Sequence, residues 1–267
     1  MAVNTETMSA QPPAIDIQAA EQTYPNGTQA LLPVSMRIER GEFVTLLGPS
    51  GCGKSTLLKM VAGLLAPTRG RILLSGQALQ GKAVDHGLSF VFQEATLMPW
   101  ANVQANVRLP LDLAGVARPQ ANQRVTQALQ LVGLDAFAHQ RPRELSGGMQ
   151  MRVSIARGLV TQPRILLMDE PFGALDEITR NRLDADLLAL WQRQGLTVVF
   201  VTHSITEAVF LSTRVIVMGA RPGRVVEDVR LEQPWPRDDD YRTSAAFNAH
   251  VRHLQRSLSM ASETAVS

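Results

Sequence analysis

Apolar positions recur with two different periods along the chain, which predicts strands and helices in alternation. Between residues 14 and 38, apolar and polar residues alternate on either side of a turn at 25–27, and this pattern predicts strands joined by turns. Continuous apolar runs, which are typical of strands buried on both faces, follow later in the chain. They predict further strands at residues 43–47, 71–74, 88–92, 165–168, 197–202 and 215–218.

In segments between and after these strands, apolar residues recur with helical spacing. This spacing predicts helices at residues 54–62, 177–194, 205–211 and 245–258. Residues 99–145 are richer in Ala, Gln, Leu and Arg than the chain on either side. Helical spacing of Val125, Leu129 and Val132 predicts that this stretch is a mostly helical insertion. Strands that alternate with helices indicate an α/β fold, with a mostly parallel sheet covered on both faces.

The ends of the chain differ from its middle. Residues 1–13 are polar and predict a flexible tail, while Pro234, Pro236 and the acidic residues 238–240 predict a linker before the last helix. We therefore expect a tail at 1–13, one domain at 14–233 with its helical insertion at about 99–160, and a linker and C-terminal helix at 234–267.

Composition agrees with a folded chain and argues against several classes of protein. Of the 267 residues, 45% are hydrophobic and 19% are charged, which are ordinary values for a globular domain. The 26 Lys and Arg residues nearly balance the 24 Asp and Glu residues, and a net charge of +2 is too small to predict a nucleic-acid partner. A single cysteine excludes an internal disulfide.

Targeting signals are absent from the pattern. The sequence contains no run of about 18 apolar residues that would predict a transmembrane helix. Its polar start also lacks the basic and apolar regions of a secretory signal. We therefore expect a cytoplasmic protein, and this expectation is compatible with docking on a membrane complex.

A glycine-rich segment between a predicted strand and a predicted helix fits the pattern G-x-x-x-x-G-K-[ST]. This phosphate loop consists of Gly48, Pro49, Ser50, Gly51, Cys52, Gly53, Lys54 and Ser55, and Thr56 follows it. Glycines let backbone N–H groups turn toward phosphate oxygens, and the following helix directs its positive end to the same place. Lys54 can reach the outer phosphates, and the Ser55 hydroxyl can ligate Mg²⁺. We interpret Cys52 as a small side chain rather than a reactive thiol.

Two carboxylates, Asp169 and Glu170, come directly after the apolar run at 165–168. Ligands of open α/β sheets bind at the carboxyl ends of the strands, so Asp169 is placed to hold Mg²⁺. Because successive strand residues alternate in direction, we expect Glu170 to point elsewhere and to be free to polarise an attacking water. For these two residues alone, an exposed turn without function is the alternative.

Residues 145–150, Leu-Ser-Gly-Gly-Met-Gln, begin a predicted helix with Ser146 at a capping position. Together with the phosphate loop, Gln93, Asp169 and Glu170, residues 174–176 and His203, this segment completes an ordered series of motifs within residues 14–225. The series resembles the ATP-binding subunit of an ABC transporter. The resemblance implies a P-loop NTPase (RecA-like) core, an N-terminal antiparallel β subdomain and the helical insertion.

The resemblance also implies roles for individual residues. Tyr24 resembles the aromatic residue that stacks on adenine, and Gln93 resembles the glutamine that contacts Mg²⁺ and the attacking water. Ser146, Gly147 and Gly148 are similar to the signature residues that close on the γ-phosphate of ATP held by a second subunit. Asp176 resembles an aspartate between subunits, and His203 resembles the switch histidine that contacts the γ-phosphate.

Partners and cofactors are implied in the same way. The resemblance implies a homodimer of ATPase subunits, in which two ATP molecules, each with Mg²⁺, lie between the chains. It also implies membrane permease subunits and, indirectly, a periplasmic or extracellular solute-binding protein. The chain would then be peripheral to the cytoplasmic face of the inner membrane, with no nucleic-acid partner.

A finer similarity points to one branch of importers. Residues 92–94, 97–100, 207–211 and 220–224 are similar to importer ATPases for nitrate, sulfonates and taurine, and importers of thiamine-pyrimidine precursors look alike there. Met151 and Ser204 depart from the family pattern, in which a polar residue and an Asp often occupy these positions. The transported solute is therefore open at this point, and so is a non-transport ATPase of the same superfamily.

Other nucleotide-dependent classes fit less well. A GTPase would carry an Asn-Lys-x-Asp motif for base recognition, which the sequence lacks. Gly53 and Ser146 are 93 positions apart, which leaves no room for the long coiled coil of a chromosome or repair ATPase. A translation-factor ATPase would normally carry two such domains, whereas this chain has one phosphate loop.

Large apolar side chains follow Gln93 closely, at Leu97, Met98 and Trp100. One interpretation is that Trp100 packs in the core of the helical insertion. The other is that part of this cluster, residues 97–100, forms an exposed groove for a short cytoplasmic helix of a membrane partner. The sequence leaves both interpretations open.

Overall fold

The computed structural model describes residues 11–78, 87–232 and 237–263. Residues 1–10 of the expected tail, and Pro234 and Pro236 of the expected linker, lie outside the described residues. Across the ranges that are described, no helix has both the length and the apolar character needed to cross a membrane.

An antiparallel sheet forms from the first part of the chain, where alternating apolar residues predict strands. Its strands are β1 (Ile15–Thr23), β2 (Gln29–Ile38), β4 (Arg69–Leu74) and β5 (Gln77–Ala78), in the order β2-β1-β4-β5. β1 pairs antiparallel with both β2 and β4. The alternating residues Ile15 and Ile17 of β1 are buried in the main hydrophobic core. The expected N-terminal antiparallel subdomain is confirmed.

The central sheet consists of β3 (Phe43–Leu47), β6 (Leu88–Val91), β7 (Ile165–Asp169), β8 (Thr197–Thr202), β9 (Arg214–Gly219) and β10 (Arg224–Arg230). Its strand order is β10-β9-β3-β8-β7-β6. Neighbours from β9 to β6 are parallel, and β10 is antiparallel to β9. The predicted α/β fold with a mostly parallel sheet is therefore confirmed. The sequence did not predict β10, because this edge strand is largely exposed and lacks a continuous apolar run.

Helices cover both faces of the central sheet because its strands are apolar on both faces. Val44 and Leu46 of β3 pack in the same cluster as residues of α1 (Lys54–Val61), and Phe43 and Leu47 pack on the opposite face. The helices on that opposite face are α5 (Glu177–Gln194), α6 (Ile205–Leu211) and α8 (Ala245–Glu263).

The helical insertion consists of α2 (Val103–Leu113), α3 (Arg118–Leu131) and α4 (Gly147–Leu159). Val107 of α2, Val125 of α3 and Val153 of α4 are buried together in a cluster of their own. α4 also packs on the central sheet through Met151 and other apolar residues. The stretch predicted to be a mostly helical insertion does consist mostly of helices, and α4 connects it to the central sheet.

The C-terminal segment begins differently from the expected linker. Asp238 accepts a hydrogen bond from the Tyr241 backbone N–H at 3.0 Å and caps α7 (Asp239–Thr243). The acidic residues 238–240 therefore begin a helix, where carboxylates are favourable next to the positive helix end. Arg237 anchors the segment by donating to carbonyl groups at the end of α6, those of Val209, Phe210 and Ser212.

Candidate functional site

The phosphate loop connects β3 to α1, and its glycines are required by close contacts. Gly53, the N-cap of α1, has a φ of 88°, which glycine adopts without strain. A Cβ on Gly53 would lie 3.1 Å from Leu31 Cδ1 and 3.2 Å from the Ala30 carbonyl oxygen. A Cβ on Gly48 would lie 2.6 Å from the Met218 carbonyl oxygen. Larger side chains at Gly48 and Gly53 would displace the loop from β2 and β9.

Lys54 begins α1, and its side chain is buried inside the loop. Its Nζ donates hydrogen bonds to the carbonyl oxygens of Gly48 at 2.8 Å and Pro49 at 3.0 Å. The same atom lies 3.6 Å from Glu170 Oε1. The ammonium group is therefore held within the loop, where it can contact the outer phosphates of a nucleotide.

Ser55 and Asp169 meet from distant parts of the chain. Ser55 Oγ donates a hydrogen bond to Asp169 Oδ1 at 2.7 Å. Burial raises the pKa of Asp169, and the hydrogen bond from Ser55 opposes this shift. A hydroxyl and a carboxylate at this distance supply the hard oxygen ligands that Mg²⁺ prefers, so the donor set fits that ion.

Glu170 follows β7 directly and has a φ of 45°, a left-handed conformation that is uncommon for a residue with a side chain. Its Oε1 lies 3.6 Å from Lys54 Nζ, and its Oε2 lies 3.2 Å from His203 Nδ1. Strand alternation predicted that Glu170 points elsewhere than Asp169, and this prediction is wrong because Glu170 has left the strand. Both acids face the phosphate loop, and local backbone strain of this kind is common at functional sites.

A cavity of about 780 Å³ lies against the phosphate loop. The residues singled out from the sequence that line it are Tyr24, Ser50, Gly51, Gly53, Lys54, Ser55, Thr56, Gln93 and Glu170. The Tyr24 hydroxyl lies 3.3 Å from Thr56 Oγ1, so the aromatic ring stands beside the start of α1. The cavity thus combines an aromatic side chain, a phosphate-binding loop and a carboxylate, which are the elements needed to hold a nucleotide.

Sequence reasoning did not assign Arg221 and Pro222 to this site, although both line the cavity. Their segment reaches the site because Gly223 N donates to the Ala30 carbonyl oxygen at 3.1 Å, and Leu32 N donates to the Gly223 carbonyl oxygen at 2.8 Å. The proline and glycine of residues 220–224 are typical of a turn. They carry no signal that the turn packs on β2.

Residues 146–148, called here the signature turn, begin α4 as predicted. Ser146 is the N-cap of α4 and accepts a hydrogen bond from Met149 N at 3.3 Å. Ser146 and Gly147 are exposed, whereas Gly148 is buried, and a Cβ on it would lie 2.9 Å from Thr179 Cγ2. The signature turn does not contribute to the lining of the cavity within the described part of the chain.

Residues 174–176 precede α5 and also lie apart from the cavity lining. Asp176 is the N-cap of α5 and accepts a hydrogen bond from Thr179 N at 2.9 Å. This backbone hydrogen bond holds the pKa of Asp176 below its usual range. A Cβ on Gly147 would lie 3.7 Å from Leu175 Cδ2, so residues 174–176 are neighbours of the signature turn. They form a second surface, separate from the phosphate loop.

The environment of Cys52 supports the interpretation that it is a small structural side chain and not a reactive thiol. Its side chain is buried, and burial raises the pKa of its thiol despite the nearby Lys54 ammonium. A thiol with a raised pKa is a poor nucleophile at neutral pH, because the thiolate is the reactive form.

The cluster at residues 97–100 is partly exposed. Trp100 is 74% exposed, so the interpretation that it packs in the core of the insertion is wrong. Leu97 packs on the insertion core, and Met98 is half-buried, with its backbone N donating to Asn106 Oδ1 at 2.7 Å. Phe92 is also exposed, at 40% of its surface. Large apolar groups are therefore exposed within a few residues of Gln93, on either side of it along the chain.

The comparisons of this chain with known proteins agree with one another. Residues 31–173 match the family model described as ABC transporter. The chain is 52% identical over 203 residues to the taurine import ATP-binding protein TauB of Rhizobium johnstonii, which covers 76% of this chain and 77% of that protein. It is 42% identical over 237 residues to the aliphatic sulfonates import ATP-binding protein SsuB of Bacillus licheniformis, which covers 88% of this chain and 90% of that protein.

Solved structures give the same result for the fold. A dimeric bacterial ABC transporter cassette has a TM-score of 0.72 at 33% identity, over 82% of this chain and 100% of that one. A dimeric cassette in a post-hydrolysis state, bound to ADP and Pi, has a TM-score of 0.71 at 33% identity, over the same 82% and 100%.

Proposed function

This chain belongs to the ABC transporter family, as an ATP-binding subunit, and we propose that it hydrolyses ATP to drive import of a small solute through separate membrane subunits. The observation that carries the proposal is the position of Glu170, whose carboxylate lies between Lys54 and His203 at the edge of the nucleotide cavity. One carboxylate next to both a phosphate-binding ammonium group and an imidazole is suited to activating a water molecule against a terminal phosphate.

Each group has a distinct task in this proposal. The backbone N–H groups of the phosphate loop and Lys54 hold the β- and γ-phosphates and stabilise their negative charge. Glu170 polarises the attacking water, which Gln93 orients from the cavity wall. His203, with its ring 3.2 Å from Glu170, contacts the γ-phosphate and keeps the carboxylate oriented. Tyr24 stacks on the adenine ring at the far side of the cavity.

A magnesium ion fits beside the phosphates. Ser55 and Asp169 would hold it, and Gln93 would contact it from the cavity wall. When bound, Mg²⁺ neutralises charge on the phosphates. The raised pKa of Asp169 reflects burial of its carboxyl group, and a cation at this position would favour the ionised form.

The active unit in this proposal is a homodimer. Ser146, Gly147 and Gly148 close on the γ-phosphate bound by the other chain, and Asp176 lies at the same contact. This assignment accounts for the exposure of Ser146 and Gly147. Neither residue lines the cavity of its own chain in the part of the chain that the structure describes. The dimeric cassettes among the solved relatives support it.

The partners lie in the membrane. We propose that permease subunits bind the exposed apolar cluster at residues 97–100 and that the chain is peripheral to the cytoplasmic membrane face. A periplasmic or extracellular solute-binding protein, which acts on this chain only indirectly, delivers the solute to the permease. The taurine and aliphatic sulfonate relatives favour a small sulfonate-type anion as the solute. Nitrate and thiamine-pyrimidine precursors are the alternatives that similarity at residues 97–100 and 220–224 also allows.

The test is co-purification from detergent-solubilised membranes, followed by an uptake assay with labelled taurine or alkanesulfonate. We expect the tagged wild-type chain to bring a membrane permease with it. Met98→Asp should leave the chain folded and able to bind ATP but abolish this co-purification, because an unpaired charge would be buried at the contact. Leu113→Asp is the matched control, since Leu113 is exposed on the same insertion. Assembly of Met98→Asp at the wild-type level would place the membrane contact elsewhere.

A further inference from the structure

A partly buried ion pair connects the two functional surfaces of the chain, and it has no place in the hydrolysis scheme above. Its members are Arg180, in the first part of α5, and Glu207, in α6. Arg180 Nε lies 3.4 Å from Glu207 Oε1. Glu207 is only 4% exposed, and burial raises its pKa. A buried carboxylate is costly unless it is paired, and such pairs contribute little net stability, so this pair invites the hypothesis that it fixes the position of nearby groups.

One end of this link reaches residues 174–176. Arg180 Nη2 donates a hydrogen bond to the Leu175 carbonyl oxygen at 2.8 Å. Leu175 in turn neighbours the signature turn, because a Cβ on Gly147 would lie 3.7 Å from Leu175 Cδ2. The guanidinium group therefore holds the backbone of the segment that the proposed second subunit contacts. A planar group with several donors can hold a carbonyl and a carboxylate at the same time.

The other end reaches both neighbours of His203. Thr202 Oγ1 donates a hydrogen bond to Glu207 Oε2 and accepts one from Ser204 N at 2.9 Å. Ser204 Oγ accepts a hydrogen bond from Glu207 N at 3.3 Å. Thr202, before His203, thus contacts the Glu207 carboxylate directly, and Ser204, after it, contacts the Thr202 hydroxyl and the Glu207 backbone. Between them, the exposed imidazole extends toward Glu170.

We propose that Arg180 and Glu207 are positioning residues, which couple the placement of residues 174–176 to the orientation of His203. Contact of a second chain with residues 174–176 would then fix the imidazole against Glu170 and the γ-phosphate. The inference rests on the proposed ATPase function and adds a route between the dimer contact and the hydrolytic group. It runs from the Leu175 carbonyl through Arg180, Glu207 and the Thr202 hydroxyl to the backbone N–H of Ser204, the residue next to His203.

The experiment is steady-state ATP hydrolysis by the purified full-length chain, with ATP binding measured separately. Arg180→Met should lower kcat by about 10- to 100-fold, because a misplaced catalytic group loses rate rather than ground-state binding. ATP affinity should stay within about twofold of the wild type. Arg180→Lys should recover part of the rate, since it retains a cation that faces Glu207. Arg182→Met is the matched control, an exposed arginine on the same helix, and should leave kcat unchanged.

A double-variant comparison distinguishes a positioning role of Arg180 from a general structural role. If Arg180 acts through His203, Arg180→Met should cause no further loss in a His203→Ala background. Independent, multiplicative losses would overturn the inference, and so would a wild-type kcat in Arg180→Met. If Arg180→Met does not fold, Glu207→Gln, which keeps the side-chain shape, carries the same comparison. Failure of both to fold would also overturn it, because the pair would then be a general structural requirement. A wild-type chain without ATP hydrolysis would instead contradict the proposed function.

Discussion

The phosphate loop and the signature turn are both glycine-containing helix starts, yet they differ in what surrounds them. Lys54 and Ser55 have partners inside the chain, in Glu170 and Asp169, and they line a cavity of about 780 Å³. Ser146 and Gly147 are exposed and lie outside that cavity lining in the described ranges. The difference supports the proposal that one chain contains one half of the nucleotide site and presents the other half outward, for a second chain.

The largest expected effect follows from removing the water-activating carboxylate. Glu170→Gln keeps the shape of the side chain but cannot accept a proton, so phosphate release should fall by about 10²- to 10⁴-fold while ATP binding is retained. The dimer formed with ATP should also persist longer on size-exclusion chromatography, because hydrolysis no longer opens it. Glu232→Gln, at an exposed carboxylate, is the control. Full turnover in Glu170→Gln would remove Glu170 from this role.

A charge on the signature turn should slow hydrolysis without preventing the chain that carries it from folding. Gly147 is exposed, and an Asp in the first turn of α4 is favourable next to the helix N-terminus, so Gly147→Asp should fold and bind ATP. Hydrolysis should fall by about 10-fold or more, since a carboxylate would face the partner's γ-phosphate. Gly148 is a poorer position for this test, because a Cβ there would meet Thr179. Gly147→Ala controls for the loss of glycine.

The loss of the phosphate-loop cation should act on binding itself. Lys54→Ala removes a charged donor from the outer phosphates, so ATP affinity should fall by about 10- to 100-fold. Lys59→Ala, at an exposed position on the same helix, should leave affinity unchanged. A thermal melt confirms that each variant is folded. Unchanged ATP affinity in a folded Lys54→Ala variant would contradict the assignment of the loop.

Mixing these two variants sharpens the comparison. A pair with Lys54→Ala in one chain and Gly147→Asp in the other has both defects in one composite site and an intact second site. Random pairing leaves about a quarter of all composite sites intact, so the mixture should hydrolyse ATP faster than either pure variant. No gain on mixing would argue that each chain acts alone or that one intact site cannot turn over.

Much of this site could be predicted from sequence because its motifs are local. The phosphate loop and the N-cap at Ser146 each lie within a short segment, and residue type dictates their geometry. Glu170 shows where prediction from the sequence fails, because the alternation of side-chain directions stops applying where a strand ends and the backbone takes a positive φ. The Arg180–Glu207 pair lay beyond prediction, because it depends on how α5 and α6 pack. The acidic residues 238–240 were assigned to a linker on composition, whereas Asp238 caps a helix.

The central claim is that the signature turn of one chain meets the phosphate loop of another in the presence of ATP. Crosslinking tests it most directly, with Ser146→Cys in one tagged chain and Ser50→Cys in a differently tagged chain, since both serines are exposed. Both chains carry Cys52→Ala to remove the native thiol and Glu170→Gln to hold the closed state. The account predicts an ATP-dependent crosslink between the two tags, which disappears when the Ser50→Cys chain also carries Lys54→Ala. Absence of that crosslink at every ATP concentration, with both chains folded and binding ATP, would contradict it.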